Sequence, residues 1–397
     1  MNSEQFLKRS FMAGNKLVLM PVCNYFNPDN RVFRTANSLS EEGYNVIVLS
    51  YHKDGLTEEE VLGMGFLVKR IKTKVFLLPF KQLNNLFRRK LWERKVKSLA
   101  ARYKPHYVHC NDYNTLFLGI YCKKKYGSKI IYDCHEYFQD LNYLHRYPMI
   151  IRRRIAAFER AAIKGYVDEM IVVSPGISRL YQGLSGKEVH IVKNVPEKLL
   201  NGNNLKVSED IVTFLEDQQK QGRRLFLYLG TNTQRGRGLD FAFKLVSSLP
   251  QKYGLVVLGP RDNNEIMILK LKANQEGMGD RFGAFLSIPI TSLKSISGFF
   301  FMGLSLIEPI YISYKHSLPN KLFEYFSMGL PVISSDIPDQ GEVIIQNNLG
   351  FIIPFNIPDA IRIITESESR IFNPNIREIF KWESEKSKLI AVYQHLE

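Results

Sequence analysis

A lysine and a glutamate three residues apart, Lys321 and Glu324, lie in His316-Ser-Leu-Pro-Asn-Lys-Leu-Phe-Glu-Tyr-Phe-Ser-Met-Gly329. That spacing makes them neighbours on one side of a helix, and Leu322, Phe323 and Phe326 make its apolar face. Pro319 suits the first helical position, where its missing N–H is not needed. Gly329 ends the helix, and Pro331–Ser335 reads as the next strand. Free N–H groups at the helix start, with Lys321 beside them, make an anion site. Glu324, one turn deeper, can accept hydrogen bonds from vicinal hydroxyls such as those of a ribose. A plain surface helix carrying a Lys–Glu pair is the competing reading.

A second constellation is Leu227-Tyr-Leu-Gly-Thr-Asn-Thr-Gln-Arg-Gly-Arg-Gly-Leu-Asp240, a strand entering a glycine-rich turn and then a helix over Asp240–Leu249. Glycine lets backbone approach a phosphate, and Arg235 and Arg237 can neutralise it. It is not a dinucleotide fingerprint, and no acidic residue follows the next strand, where Leu258 precedes Gly-Pro; both points weigh against a dehydrogenase. A solvated basic turn is the alternative here. A third constellation, Tyr132-Asp-Cys-His-Glu-Tyr-Phe138, follows a strand. His135 can donate to a phosphate or sugar hydroxyl, with Glu136 to orient it. His109-Cys-Asn-Asp112 ends the preceding strand, and Phe26-Asn-Pro-Asp-Asn-Arg-Val-Phe-Arg34 puts Asp29, Arg31 and Arg34 at a helix start. The sequence holds no Ser-His-Asp order, HExxH, Walker A loop or metal-ligand cluster, and no paired carboxylates of the hydrolase kind.

These residues need a scaffold. Lys16–Met20, Asn45–Ser50, Phe66–Lys72, His106–His109, Lys129–Asp133, Met170–Ser174 and Val189–Lys193 read as buried strands, alternating with helices over Arg31–Glu42, Leu86–Tyr103, Thr115–Tyr126, Arg152–Lys164 and Pro175–Leu184. After Asn201–Asn204 the alternation restarts, with strands at Leu225–Leu229, Gly254–Leu258, Phe282–Leu286, Phe299–Leu306, Pro331–Ser335 and Phe351–Pro354. Continuous apolar runs between helices predict parallel strands covered on both faces. The expectation is an α/β protein of two doubly wound domains joined near residues 196–208. Ligands of such domains sit beyond the carboxyl ends of the strands, and two facing domains would enclose a cleft.

The chain has 397 residues and a formal charge of +15, which points to an anionic partner. Its cysteines, Cys23, Cys110, Cys122 and Cys134, form no CxxC pair and read as buried thiols of a reducing compartment. Met1 to Lys16 lacks the apolar core of a signal peptide. Ser295 to Tyr314 is long enough to span a bilayer, but its Glu308-Pro309 and glycines mark a buried strand with loops. A cytoplasmic protein is expected.

In order along nearly the whole chain, from Lys16 to the end, the sequence resembles the retaining glycosyltransferases of family four, which have the GT-B fold. The resemblance rests on Asp29-Asn-Arg-Val, His109…Asp112, Tyr132-Asp-Cys-His-Glu, Val167-Asp-Glu-Met-Ile-Val-Val-Ser174, Val192-Lys-Asn-Val-Pro196, Gly230…Arg237-Gly-Leu, Val257-Leu-Gly-Pro260, Leu318-Pro-Asn-Lys-Leu-Phe-Glu-Tyr, and Lys381-Trp-Glu…Tyr393. It implies two Rossmann-like domains facing across a cleft: 1–195 on the acceptor side, 196–370 for the donor nucleotide, and 371–397 as a helix crossing back to the first. A nucleotide-diphosphate sugar would be the co-substrate, with no metal and no further cofactor. Glu324 would hold the ribose hydroxyls, and Arg237, Lys321 and the helix N-terminus the diphosphate. Gly230, Thr231, Arg235, His316, Ser317, Leu318 and Asn320 would complete the donor site, and His135 would reach the donor sugar. Asp29, Arg31, Asp112 and Glu136 fall on the acceptor side. His316 stands where the family commonly has a first glutamate, and Thr231 where it has a basic phosphate ligand, with Arg235 as its substitute.

Residues 81–104 carry nine lysines and arginines interleaved with Leu83, Leu86, Phe87, Leu91, Trp92, Val96 and Leu99 at helical spacing. This basic amphipathic helix, with Arg152-Arg-Arg154, fits peripheral docking on the anionic inner face of a plasma membrane. It equally fits a helix that covers the sheet. No nucleic-acid module is present. The expected activity is hexosyl transfer to a glycan or lipid-linked acceptor in bacterial surface polysaccharide assembly. A sugar-nucleotide epimerase and a non-catalytic partner of another transferase are the rivals.

Overall fold

Strands form where apolar runs can be buried on both faces, and helices where such runs alternate with polar spacers. A computed structural model describes residues 15–27, 29–73, 81–197, 207–230 and 236–397. The chain makes two compact units: one from the residues up to Lys193 together with Glu385–Glu397, the other from Asn194–Ser384.

The first unit is built on β1 (Leu17–Pro21), β2 (Asn45–Tyr51), β3 (Glu59–Leu62), β4 (Phe66–Ile71), β5 (Tyr107–Asn111), β6 (Lys129–Cys134), β7 (Glu169–Val172) and β8 (His190–Ile191). They lie in the order β3-β4-β2-β1-β5-β6-β7-β8, parallel throughout except for the antiparallel pair β3–β4. From β1 the chain winds outward through β2, then returns to continue outward through β5. The carboxyl ends of β1 and β5 therefore flank a topological switch point, where such sheets bind ligands. The edge strand β3 goes unannounced in the sequence because Glu58-Glu59-Glu60 reads as a charged loop. Cross-strand pairing holds it, since Glu59 meets Lys69 and Glu60 meets Arg70 on β4.

The basic helix Lys81–Tyr103 packs on this sheet through Trp92, Val96, Ala100 and Tyr103, a stripe at helical spacing that is fully buried or nearly so. Trp92 stacks on Tyr51 and donates its indole N–H to the Ser50 carbonyl at 3.3 Å. Leu86 and Phe87 stay half exposed beside the exposed Arg89 and Lys90. One face thus covers the sheet, and the other is exposed among the described residues. Of the cysteines, Cys110, Cys122 and Cys134 are buried, but Cys23 is exposed, because it sits in the loop just past β1 rather than on a strand. That corrects the expectation of four buried thiols.

The second unit comprises β9 (Arg224–Leu229), β10 (Tyr253–Leu258), β11 (Phe282–Phe285), β12 (Phe300–Ser305), β13 (Val332–Ser335) and β14 (Gly350–Ile353), in the order β11-β10-β9-β12-β13-β14. All of these pairs are parallel, and the switch point falls between β9 and β12. There the ladder slips in register at Phe300 and Met302, and Tyr325 bridges the ends. Its hydroxyl accepts from the Leu229 N–H at 2.8 Å and faces the carbonyls of Leu227 and Leu304 at 3.0 and 3.2 Å. Gly303 is required beneath it, since a Cβ there would come within 2.4 Å of the Tyr325 ring. No helix among the described residues is long and apolar enough to cross a membrane.

Candidate active site

Beside the first unit's switch point a buried carboxylate organises three side chains. Asp133, near the end of β6, is ion-paired with Arg31. It also lies 3.2 Å from the His109 Nε2 and 3.6 Å from the His135 Nε2. Burial opposes its ionisation, but Arg31, His135 and His109 outweigh that and hold its pKa well below the usual carboxylate range. The other His109 nitrogen meets the Tyr393 hydroxyl at 2.9 Å.

Asp112 follows β5 with φ +61° and ψ 167°, a region that costs a residue with a side chain about 1–3 kcal/mol and gathers at functional sites. That turn lets its Oδ1 accept from the His135 N–H at 3.1 Å, with Oδ2 3.5 Å from the ring Nδ1. Burial and Arg31 resist a charge on His135, while Asp112 and Asp133 favour it, and the net result is a raised pKa. Its Nε2 is buried without a hydrogen-bond partner among the described residues. That nitrogen faces the Asp133 carboxylate at 3.6 Å, so the ring is held between Asp112 and Asp133. Glu136 is half-buried next to it. Asp29 instead caps the helix Asn30–Glu41, accepting from the Val32 N–H at 3.3 Å and from the Asn24 amide at 2.8 Å.

In the second unit, Gly230 ends β9 with φ +141°. Thr231 and Arg235 lie outside the described residues. Gly238 (φ +78°) precedes the helix Leu239–Ser248, so close to the end of β12 that a Cβ would sit 1.6 Å from the Leu306 carbonyl oxygen. Only glycine fits there. Arg237 extends from this turn with its guanidinium 4.8 Å from the Tyr314 ring centroid, while its carbonyl accepts from the Tyr228 hydroxyl at 2.9 Å.

The helix Asn320–Ser327 starts one residue later than the sequence suggests, with Pro319 as the flanking N-cap. Its buried face is Leu322, Phe323, Tyr325 and Phe326. Lys321 lies over the Tyr228 ring, its Nζ 4.2 Å from the centroid. Burial first, then the Arg237 charge, push its pKa down to about 7 against the pull of Glu324. Lys321, Arg237 and Glu324 therefore share one neighbourhood at the second switch point, with the two cationic side chains close enough to disfavour each other's charge. His316 pairs its Nδ1 with the buried Asp339 at 2.7 Å. The Ser317 hydroxyl donates to the Tyr314 carbonyl at 2.9 Å, Leu318 is buried, and Asn320 accepts from the Asn194 amide.

The sequence model for Glycosyltransferase Family 4 matches residues 29–195, and that for Glycosyl transferases group 1 matches residues 213–381. The chain belongs to the family-four, group 1 glycosyltransferases. Solved glycosyltransferase structures share its GT-B fold. Sucrose-phosphate synthase from Thermosynechococcus elongatus has a TM-score of 0.75 at 16% identity, over 96% of this chain and 99% of that one. Anabaena HepE in complex with UDP-glucose has a TM-score of 0.69 at 11% identity, over 96% and 99%. WaaG, a glycosyltransferase involved in lipopolysaccharide biosynthesis, has a TM-score of 0.61 at 16% identity, over 93% and 94%. No curated protein matches in sequence. In this glycosyltransferase the sequence does not disclose the roles of three supporting residues: Tyr325, which bridges β9 and β12, Tyr393, which seats His109, and Asp339, which holds His316. The Tyr after Glu324 was visible as a residue type, but none of the three has a spacing that announces its partner.

Proposed function

We propose that this glycosyltransferase transfers a hexose-type sugar from a nucleotide-diphosphate sugar to a glycan or lipid-linked acceptor, with retention, in bacterial surface polysaccharide assembly. The observation that carries the reading is the second unit's cluster. A lysine whose pKa is pushed down to about 7 stands in the first turn of a helix, with a glutamate one turn deeper and an arginine from a separate turn acting on the lysine. Cations beside a helix start suit a diphosphate, and the glutamate suits ribose hydroxyls. HepE holds UDP-glucose, and WaaG acts in lipopolysaccharide biosynthesis; these support the donor and pathway classes. Arg237, Lys321 and the helix dipole would stabilise the departing diphosphate without a metal. The acceptor oxygen would bond to the anomeric carbon on the face from which the phosphate leaves, and that phosphate would take the acceptor proton.

His135 acts in the transfer step. His135→Ala is expected to lower transfer about 100-fold, the order lost with one hydrogen-bond donor to a developing negative charge, while nucleotide affinity changes little. Assays with a panel of nucleotide sugars and glycan or lipid-linked acceptors check this. Unchanged turnover removes His135 from the reaction, release of an altered sugar without acceptor favours an epimerase, and binding without any turnover favours a non-catalytic partner.

The exposed face of the helix Lys81–Tyr103, with half-exposed Leu86 and Phe87 among cations, supports docking on the inner face of the plasma membrane. The cytoplasmic location belongs to the same proposal. Neutralising Arg88, Arg89, Arg94 and Lys95 should abolish sedimentation with anionic liposomes, and unchanged sedimentation counts against this surface.

A further inference from the structure

Three side chains from distant parts of the sequence converge at the amino-terminal edge of the first unit's sheet. Glu169 is the first residue of β7 and His190 the first of β8. The two strands run parallel with Ile171 opposite His190. Residues 169 and 171 share a face, so Glu169 and His190 project to the same side, and the His190 Nε2 lies 2.7 Å from a Glu169 carboxylate oxygen. His395 comes from Glu385–Glu397, which belongs to the same unit, and its ring centroid lies 5.8 Å from that of His190. One nitrogen of each histidine and one carboxylate oxygen all fall within 4.8 Å of one another.

Two imidazoles and a carboxylate are the protein ligands of a tetrahedral zinc centre with one position left for water. The same donor set discriminates against magnesium and calcium, which take oxygen ligands. Zinc bonds of roughly 2.0–2.2 Å put neighbouring ligand atoms about 3.4 Å apart. The Glu169–His190 contact would open slightly, and His395 would close in by little more than 1 Å. His395 is exposed, so a rotamer change suffices. We infer that Glu169, His190 and His395 form a binding site for zinc or a similar divalent transition metal, tying the segment Glu385–Glu397 to the sheet.

The site stands at the amino ends of the strands, whereas Asp112, Asp133 and His135 stand at the carboxyl ends, so it is separate from that cluster. It still bears on the reaction centre. Tyr393 lies on the same segment, two residues before His395, and its hydroxyl seats His109 against Asp133. A metal on His395 would keep Tyr393 in place. The bland alternative is a Glu169–His190 ion pair with His395 as a solvated neighbour. This inference is independent of the donor and acceptor proposed above.

The test uses untagged full-length protein stripped with a chelator, titrated with zinc by calorimetry and with cobalt by visible absorption. One metal per chain is expected, with the absorption of tetrahedral cobalt, displaced by zinc. His395→Ala, at an exposed position that folding does not need, should lower affinity by more than the roughly 10–100-fold that loss of an outer-shell partner costs. Glu169→Gln should do the same. Zinc should slow amide exchange in residues 385–397 of the natural protein and leave His395→Ala unaffected. No saturable binding overturns the inference. Undiminished binding by His395→Ala also overturns it, because it places the metal elsewhere among the eight histidines.

Discussion

Asp133→Asn is expected to destabilise the protein by about 3–5 kcal/mol, the usual cost of removing one partner from a buried ion pair. The reason lies in what remains. Arg31 is only 8% exposed, and without Asp133 its charge is held in the interior with no carboxylate against it. His135 also loses one of the two carboxylates that raise its pKa. Replacing both partners with apolar groups, Arg31→Met with Asp133→Leu, should cost less than Asp133→Asn alone, because no uncompensated charge is left. Urea unfolding of the three proteins measures the stability difference, and NMR titration of His135 should show a lowered pKa in Asp133→Asn. The pH dependence follows the same logic. The folded pKa of Asp133 is depressed, so its contribution is present above the ordinary carboxylate range and is lost as pH falls through the folded value, which makes the protein acid-labile there. A loss below about 1 kcal/mol would mean that Arg31 finds water or another partner when Asp133 is gone.

Much of the architecture was legible because parallel strands buried on both faces must be continuous apolar runs, as Val18–Met20 and Leu255–Leu258 are. The two-unit α/β plan follows from their alternation with helices. The charged strand β3 was hidden, since its stability comes from partners on β4 rather than from its own pattern. The helix at Lys321 and Glu324 was legible from Pro319, Gly329 and the apolar spacing. The low pKa of Lys321 was not, because it depends on burial and on Arg237, which arrives from a separate turn. Asp112 shows the same division. Its place after a strand was readable, but its strained backbone and its grip on His135 exist only when β5 and β6 lie side by side. Asp29 was legible as a helix-start residue, and that is the job its side chain performs in the first unit. Roles carried by one segment could be read; roles that need two segments had to wait for the fold.

Glu324→Ala is expected to weaken nucleotide-diphosphate binding at least about 100-fold, or roughly 2.7 kcal/mol. Two hydrogen bonds from ribose hydroxyls to a carboxylate, each worth about 1.5–3 kcal/mol, are enough to account for it. Lys321 adds a pH signature that separates this site from any other. In the free protein its pKa is near 7, below the ordinary lysine value. The unfolded chain then binds more protons between pH 7 and that ordinary value, so stability rises with pH across this window and is poorest below it. A bound diphosphate reverses the preference by adding negative charge beside the lysine. Binding above pH 7 must therefore take up a proton, and affinity should fall by up to about tenfold per pH unit as pH rises. Lys321→Met should remove the proton uptake and flatten the profile, and it should stabilise the free protein at neutral pH. Calorimetry in buffers of different ionisation enthalpy reads the uptake directly. If Glu324→Ala keeps its affinity, the ribose is held elsewhere. If Lys321→Met keeps the pH profile, the diphosphate does not meet this lysine, and the cluster at the second switch point is not the donor site.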